Sequence, residues 1–384
     1  MARGHPLPIT VCVSALEYGG VDSVVHALAT GLDRSRYNVT VYSLGPDHGA
    51  GDRYRAAGIQ VVAGEQSGSD RVRAVHRLWR FLHGHRVMLV HTNPGFGSRV
   101  AALLARVPVV VATYHGSWAH SASRVELLLR RFLDRRATAV VANSRFTRDH
   151  VIAELGVPPE RVRVIHNGVD LNRFRPPSLD RRNATRTALG LGADDVVVAT
   201  VARLYPDKGV WDVVSALALA RAEGVPLRAL IVGDGPERES LRAHVATIGV
   251  APHVQFVGAR SDIPELLAAA DLFVLASRTR EGFGIALAGA MAMSLPVVGT
   301  FVEGIPELVE EGRTGLLVPP CDPSALADAF LKLVREPKLR HELGTRGRAT
   351  VESRFDARRM VAAYAALYEE LLGRSPHASS LLIP

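Results

Sequence analysis

Apolar residues in this chain come in short unbroken bursts, rich in valine and isoleucine, separated by segments of helical length. The bursts of the first half are PITVCVSA, NVTVYSL, GIQVV, VMLVH, VPVVVAT, ATAVVANS and VRVIH. Those of the second are DVVVATVAR, PLRALIVGD, HVQFVG, DLFVLAS, LPVVGT and GLLVP. A run that is apolar at every position belongs to a strand covered on both faces, and the helical segments between such runs supply the crossovers that parallel strands need. The pattern predicts an α/β protein of two Rossmann-like, doubly wound domains. HNGVDLNRFRPPSLD, from His166, gathers turn formers and two prolines where both periodicities lapse. The expected domains are therefore 1–175 and 176–355, followed by a helix over 356–373 and a loose tail over 374–384.

Composition narrows the class. At 384 residues the chain outgrows a single core, and 47% hydrophobic with 22% charged residues excludes a disordered or fibrous protein. The best candidate for a membrane span, VAALLARVPVVVA from Val100, is broken by Arg106 and Pro108 and falls short of the roughly 20 residues a spanning helix needs. PITVCVSALEYGG reads as a first buried strand rather than a signal peptide, because it runs straight into a Gly-Gly turn. The expected location is cytoplasmic. Cys12 and Cys321 show neither metal-ligand nor CxxC spacing and are expected as reduced, small core residues.

The net charge of +8 is uneven: residues 1–175 hold 23 basic and 13 acidic residues, the remainder 23 and 25. Different partners for the two halves follow, with no nucleic acid among them. RVELLLRRFLDRRA, from Arg124, admits two readings: a helix lying on an anionic membrane surface, or an ordinary amphipathic surface helix. The second is preferred, and peripheral contact with the inner membrane surface through the N-terminal half stays open.

Ligands of doubly wound sheets bind at the carboxyl ends of strands, so the strand-to-helix loops hold the candidate chemistry. In ALEYGGVDSVVHALA, Gly19 and Gly20 allow close backbone approach, and Asp22 or Ser23 is expected to cap the next helix. VARLYPDKG brings Arg203 and Lys208 to a helix N-terminus, a pairing suited to a diphosphate, although two solvated surface charges would read the same way. Gly233 and Gly235 in VGDGPERESL lack the full GxGxxG pattern. REGFGIALAGAMA sets Glu281 beside Gly282 and Gly284 at a helix start, where amides receive a phosphate and the carboxylate accepts from hydroxyls. A diphosphate next to a polyol describes a nucleotide-sugar. His91 in VHTNPGFGS and His115 in ATYHGSWAH lie in corresponding loops of the first half.

Taken in order, YGG, YHG, HNGVD, ARLYPDKG, GDGPER, EGFG, GIPELV and EGRTGLLVPP, from about residue 8 to 335, resemble glycosyltransferase family 4, the retaining glycosyltransferases of GT-B fold. The resemblance implies two Rossmann-like domains facing across a cleft, the last helix crossing back to the first domain, and no bound metal or cofactor. It implies a UDP-, GDP- or TDP-linked sugar donor on the C-terminal half and a glycan, lipid or small natural product as acceptor on the N-terminal half. Segments 44–70 and 114–124 are expected to shape the acceptor pocket. Carried over by position, Arg203 and Lys208 neutralise the diphosphate, Glu281 orients sugar hydroxyls, and Phe283 and Gly284 offer amides. His115 contacts the transferred sugar, Gly20 lies by the phosphates or acceptor, and Glu307 helps hold the donor loop.

One position departs. The family carries two glutamates separated by seven residues, the second usually accepting hydrogen bonds from the ribose; here Glu281 is followed, at the second position, by Gly289. A thymidine diphosphate donor, compensation by Glu303 or a backbone carbonyl, loss of transfer, or an introduced substitution would each account for the glycine. The rival functions are a noncatalytic nucleotide-sugar binder or scaffold, and a sugar-nucleotide epimerase. Oligomeric state is not legible.

Overall fold

The computed structural model describes residues 5–64, 71–93, 96–116 and 124–374. The expected tail beyond 374 lies outside the described residues, as do 65–70 and 117–123 of the two segments expected to shape an acceptor pocket. The chain divides into two compact units, Met1–Gly168 with Ala357–Pro384, and Val169–Asp356.

The first unit runs β1 (Leu7–Val13), α1 (Gly20–Gly31), β2 (Tyr37–Ser43), α2 (Gly51–Ala56), β3 (Gln60–Val62), α3 (Arg71–Gly84), β4 (Leu89–Thr92), α4 (Phe96–Leu104), β5 (Val109–Tyr114), α5 (Arg124–Arg136), β6 (Ala139–Ala142), α6 (Arg145–Leu155) and β7 (Val162–Val164). Its seven strands are parallel in the order β3-β2-β1-β4-β5-β6-β7. The second unit runs α7 (Leu179–Ala188), β8 (Val196–Val201), α8 (Val210–Ala222), β9 (Leu227–Val232), α9 (Arg238–Thr247), β10 (Val254–Gly258), α10 (Ile263–Ala268), β11 (Leu272–Leu275), α11 (Ile285–Ala292), β12 (Val297–Thr300), α12 (Ile305–Leu308), β13 (Leu316–Val318), α13 (Pro323–Arg335) and α14 (Pro337–Arg354). Its six parallel strands are ordered β10-β9-β8-β11-β12-β13.

The apolar runs are unbroken because both faces of each sheet are covered. In β8, Val197 and Ala199 join one core cluster with Leu230, Val232 and Phe273. Val198 joins the other with Ala229 and Ile231. Strand order reverses between β1 and β4 in the first unit and between β8 and β11 in the second, and at such points the loops after the strands part to leave a crevice.

The last helix, α15 (Ala357–Arg374), belongs to the first unit. Its Val361 lies so close to α1 that a Cβ on Gly31 would stand 2.9 Å from Val361 Cγ2. Tyr364 and Tyr368 are buried beside the sheet, where His91 Nδ1 lies 2.6 Å from the Tyr368 hydroxyl and Nε2 lies 2.6 Å from Thr113 Oγ1. His91 is thus a core hub of β4 and not a loop residue. Burial, with nearby His115 adding to it, pushes its pKa down to about 3.

Helix α5 is fixed by a buried cluster. Arg99 of α4 donates to the Tyr114 hydroxyl at 2.5 Å and to Asp134, and the Tyr114 hydroxyl donates to Asp134 Oδ2 at 2.6 Å. With Leu133 and Asp134 facing inward, Val125, Leu128, Leu129 and Phe132 face out. The ion pair turns the Asp134 side of the helix inward. The cysteine expectation is half corrected: both are free and Cys12 is buried, but Cys321 is exposed, on a turn with φ 59°.

Candidate active site

The second unit brings Arg203, Lys208, Glu281 and Gly284 to its switch point. After β8 the chain makes a short turn over Pro206–Lys208, and Gly209, at φ 61°, opens α8. A Cβ there would stand 2.0 Å from the Ala276 carbonyl oxygen, so both the dihedral and the space require glycine. This close approach sets Lys208 against the loop that follows β11. Lys208 Nζ donates to Glu281 Oε2 at 3.0 Å and to the Arg280 carbonyl at 3.4 Å, and lies 3.7 Å from Asp207. Glu281 Oε2 also accepts from Ser277 Oγ at 3.0 Å, while Oε1 accepts from the Gly284 N–H at 3.1 Å. Gly284, at φ 83°, is the N-cap of α11. One carboxylate therefore neutralises both a cation and the positive end of a helix.

The surrounding loops are braced. Arg278 forms a two-point pair with buried Asp212 at 2.8 and 2.7 Å, and its N–H donates to the Asp207 carbonyl at 2.8 Å, tying the β11 loop to α8. Arg280 and Glu303 both adopt left-handed conformations, at φ 59° and 45°, and the Arg280 N–H donates to Glu303 Oε1 at 3.1 Å. Two strained non-glycine residues beside Glu281 mark this rim as a place where local geometry outweighs roughly 1–3 kcal/mol each. Gly304 passes beneath, its N–H donating to the Glu281 carbonyl at 2.9 Å. Glu307 is half-buried on α12, and Phe283 anchors the loop in the core with its ring 5.3 Å from that of Phe355.

Arg203 is exposed, its guanidinium 5.0 Å from the centre of the Tyr205 ring. Gly233 and Gly235 support its loop from behind: a Cβ would stand 1.8 Å from the Ala202 carbonyl oxygen in one case and 2.4 Å from that of Leu204 in the other. The Leu204 N–H donates to the Asp234 carbonyl at 2.9 Å across this contact.

Gly289 is buried in α11 with ordinary helical backbone, so freedom of φ does not explain it. Space does. A Cβ at 289 would stand 2.9 Å from Cε1 and 3.1 Å from Cδ1 of Phe174. The ring of Phe174 occupies the ground from which a second glutamate would extend, with the Arg173 guanidinium 5.4 Å from its centre.

In the first unit, Gly20 opens α1 beside the β1/β4 switch point, but neither Asp22 nor Ser23 caps the helix. They lie too far along the first turn. Asp22 is instead buried, accepting from the Tyr54 hydroxyl at 2.7 Å and from Arg53, and burial raises its pKa against the pull of Arg53. Ser23 Oγ donates back to the Gly19 carbonyl at 3.0 Å. His115 follows β5. Its Nε2 lies 2.7 Å from Asn93 Oδ1, and Asn93 Nδ2 donates to the Cys12 carbonyl at 3.3 Å. That second bond orients the amide, so Nε2 must carry the imidazole proton and Nδ1 is left as an acceptor, buried and without a partner among the described residues. Burial lowers the His115 pKa to about 4 and keeps the ring neutral at neutral pH.

Ser277, Asn93, Arg278 and Phe174 were not singled out from the sequence. Ser277 and Asn93 had a weak signal, as the first polar residues after the buried runs DLFVLA and VMLVHT. Arg278 and Phe174 had none. Among the described residues no three His, Cys, Asp or Glu side chains gather as metal ligands would.

Residues 18–173 match the family described as Glycosyltransferase Family 4, and residues 181–350 the one described as Glycosyl transferases group 1. The N-acetyl-alpha-D-glucosaminyl L-malate synthase of Bacillus anthracis is 28% identical over 293 residues, 74% of this chain and 75% of that protein. The GDP-mannose-dependent alpha-(1-6)-phosphatidylinositol monomannoside mannosyltransferase of Mycobacterium tuberculosis is 33% identical over 266 residues, 66% of this chain and 68% of that protein. Among solved structures, HepE of Anabaena in complex with UDP and glucose matches with a TM-score of 0.86 and 26% identity, over 95% of this chain and 100% of that one. This chain belongs to glycosyltransferase family 4 and has the GT-B fold.

Proposed function

We propose that this glycosyltransferase moves a hexose-like sugar from a nucleoside diphosphate to an acceptor with retention of configuration and without a metal. The observation that carries the reading is the Lys208–Glu281–Gly284 constellation. Glu281 pairs with the lysine and with the helix N-terminus. A donor diphosphate takes over both, joined by Arg203 turning from its stack on Tyr205, and Glu281 is released to accept hydrogen bonds from hydroxyls of the sugar. The same cations then stabilise the charge that develops on the departing nucleoside diphosphate, where preorganised electrostatics contribute most. Positioning supplies the rest. On the first unit, His115 Nδ1 offers a neutral acceptor to a substrate hydroxyl, and the basic surface favours an anionic acceptor.

The donor pentose is read without a carboxylate at 289, so the nucleotide has to be measured. Calorimetric titration of UDP, GDP, ADP and TDP, each free and linked to glucose, with the protein and its Lys208→Ala variant tests the assignment. Binding of a nucleoside diphosphate that is weakened at least about tenfold in the variant is expected, the loss of one charged hydrogen bond. Equal binding would refute the site. Nuclear magnetic resonance of the anomeric proton in the product tests retention.

A further inference from the structure

Helix α5 carries four of its six apolar residues on the outside, while Leu127 and Leu133 pack inward. Val125 is 66% exposed, Leu128 62%, Leu129 45% and Phe132 46%. At 3.6 residues per turn these four form one stripe on the side of the helix away from Asp134, the residue whose buried pair with Arg99 fixes the rotation. Leu103 and Leu104, at the end of the neighbouring α4, are exposed as well. Water-facing leucine and phenylalanine in a continuous stripe mark a surface that is covered in use.

The chemistry around the stripe says by what. The helix carries five arginines and no lysine, against two acids, Glu126 and Asp134, and Asp134 is the buried partner of Arg99. Leu128, Arg131, Phe132, Arg135 and Arg136 line a shallow groove along the helix. Arg136 lies over the Phe132 ring at 4.6 Å, and Arg131 donates to the Glu154 carbonyl at 3.1 and 3.0 Å, so two of the guanidinium groups are held at the border of the apolar stripe. A second copy of this chain docked face to face would bring these arginines against their own kind. An anionic surface with a hydrocarbon layer beneath satisfies both halves of the patch: the leucines and the phenylalanine sink below the headgroups while the arginines meet phosphates.

We propose that the outer face of α5 is a membrane-docking surface that seats the first unit on an anionic lipid bilayer. This stands independently of the donor site, which lies in the second unit.

The test is co-flotation of the full chain with vesicles of phosphatidylcholine alone and of phosphatidylcholine mixed with phosphatidylglycerol. Binding to the mixed vesicles only, weakened by added salt, is expected. Leu128→Ser with Phe132→Ser, and separately Arg135→Glu with Arg136→Glu, should each weaken it by at least about tenfold. Leu179→Ser, at a leucine 71% exposed on α7 of the second unit, should leave it unchanged. All of these positions are exposed, and unaltered melting and nucleotide binding would confirm that the variants fold. Binding to neither vesicle, equal binding by the α5 variants, or loss with Leu179→Ser overturns the proposal. So does a dimer in analytical ultracentrifugation that dissociates with the Leu128→Ser and Phe132→Ser changes, which would give the face to a second copy.

Discussion

Replacing Gly289 by alanine should fail to stabilise the protein, against the ordinary rule for a helix interior. The rule gives alanine about 1 kcal/mol over glycine. Here the added Cβ meets the Phe174 ring at 2.9 and 3.1 Å, and this half-buried ring has to shift against a core cluster that includes Phe273, Phe283 and Leu287. Overpacking of this kind costs about 1–3 kcal/mol, so the net change runs from near zero to about 2 kcal/mol of destabilisation. With Phe174→Ala already made, the obstruction is gone and Gly289→Ala should recover its about 1 kcal/mol, an interaction energy of about 1–3 kcal/mol between the two sites. For a unit of this size each kcal/mol moves the melting midpoint by roughly 2–4 °C. Scanning calorimetry is the assay, because it separates the transitions of two units that need not melt together. An equal rise in midpoint on Gly289→Ala with and without Phe174 would refute the reasoning. The same geometry bears on the donor: Gly289→Glu alone should not tighten nucleotide binding. Combined with Phe174→Ala, it should gain up to the roughly 10- to 150-fold worth of a charged hydrogen bond.

Lys208→Ala and Arg203→Ala should each lower kcat/KM by at least about tenfold, since both remove charge from the diphosphate position, and near-normal rates in both would refute that placement. His115 should be the Nε2–H tautomer and should not titrate between pH 5.5 and 8, as its pKa of about 4 requires; ¹⁵N resonances reporting an Nδ1–H ring would contradict the Asn93 contact. His91 should make the first unit acid-labile. Its folded pKa of about 3 lies below the 6.5 of the unfolded chain, so above pH 6.5 there is no effect. As the pH falls below that value the unfolded chain takes a proton the folded one refuses, and stability drops by about 1.4 kcal/mol per pH unit until the folded ring itself protonates. His91→Gln should flatten the fall in melting midpoint between pH 6.5 and 4, and an unchanged slope would place the lability elsewhere.

The strands were legible because burial on both faces leaves a mark at every position of runs such as DVVVATVAR. The placing of Lys208 beside Glu281 was legible because each lies in the loop after such a run, and β8 and β11, adjacent in the sheet, bring their loops together. The reason for Gly289 was not, since its cause is the ring of Phe174, over a hundred residues earlier in the chain. The orientation of α5 was not legible for a related reason. Periodicity shows that a helix has two faces without showing which is inside, and here an aspartate marks the inner face because Arg99, thirty-five residues earlier, neutralises it. Paired charges across long separations are the information a linear pattern lacks.

The return of α15 to the first unit has a consequence for how the chain is made. Domains ordinarily fold in the order in which they leave the ribosome. Here the second unit is complete once Asp356 has emerged, while the first still lacks the helix that supplies Tyr364 and Tyr368 to His91 and Val361 to α1. The part synthesised first is the part finished last. A nascent chain stalled before residue 357 would present the α1 surface and a buried histidine to water, so the first unit waits on the eighteen-residue α15 for its completion.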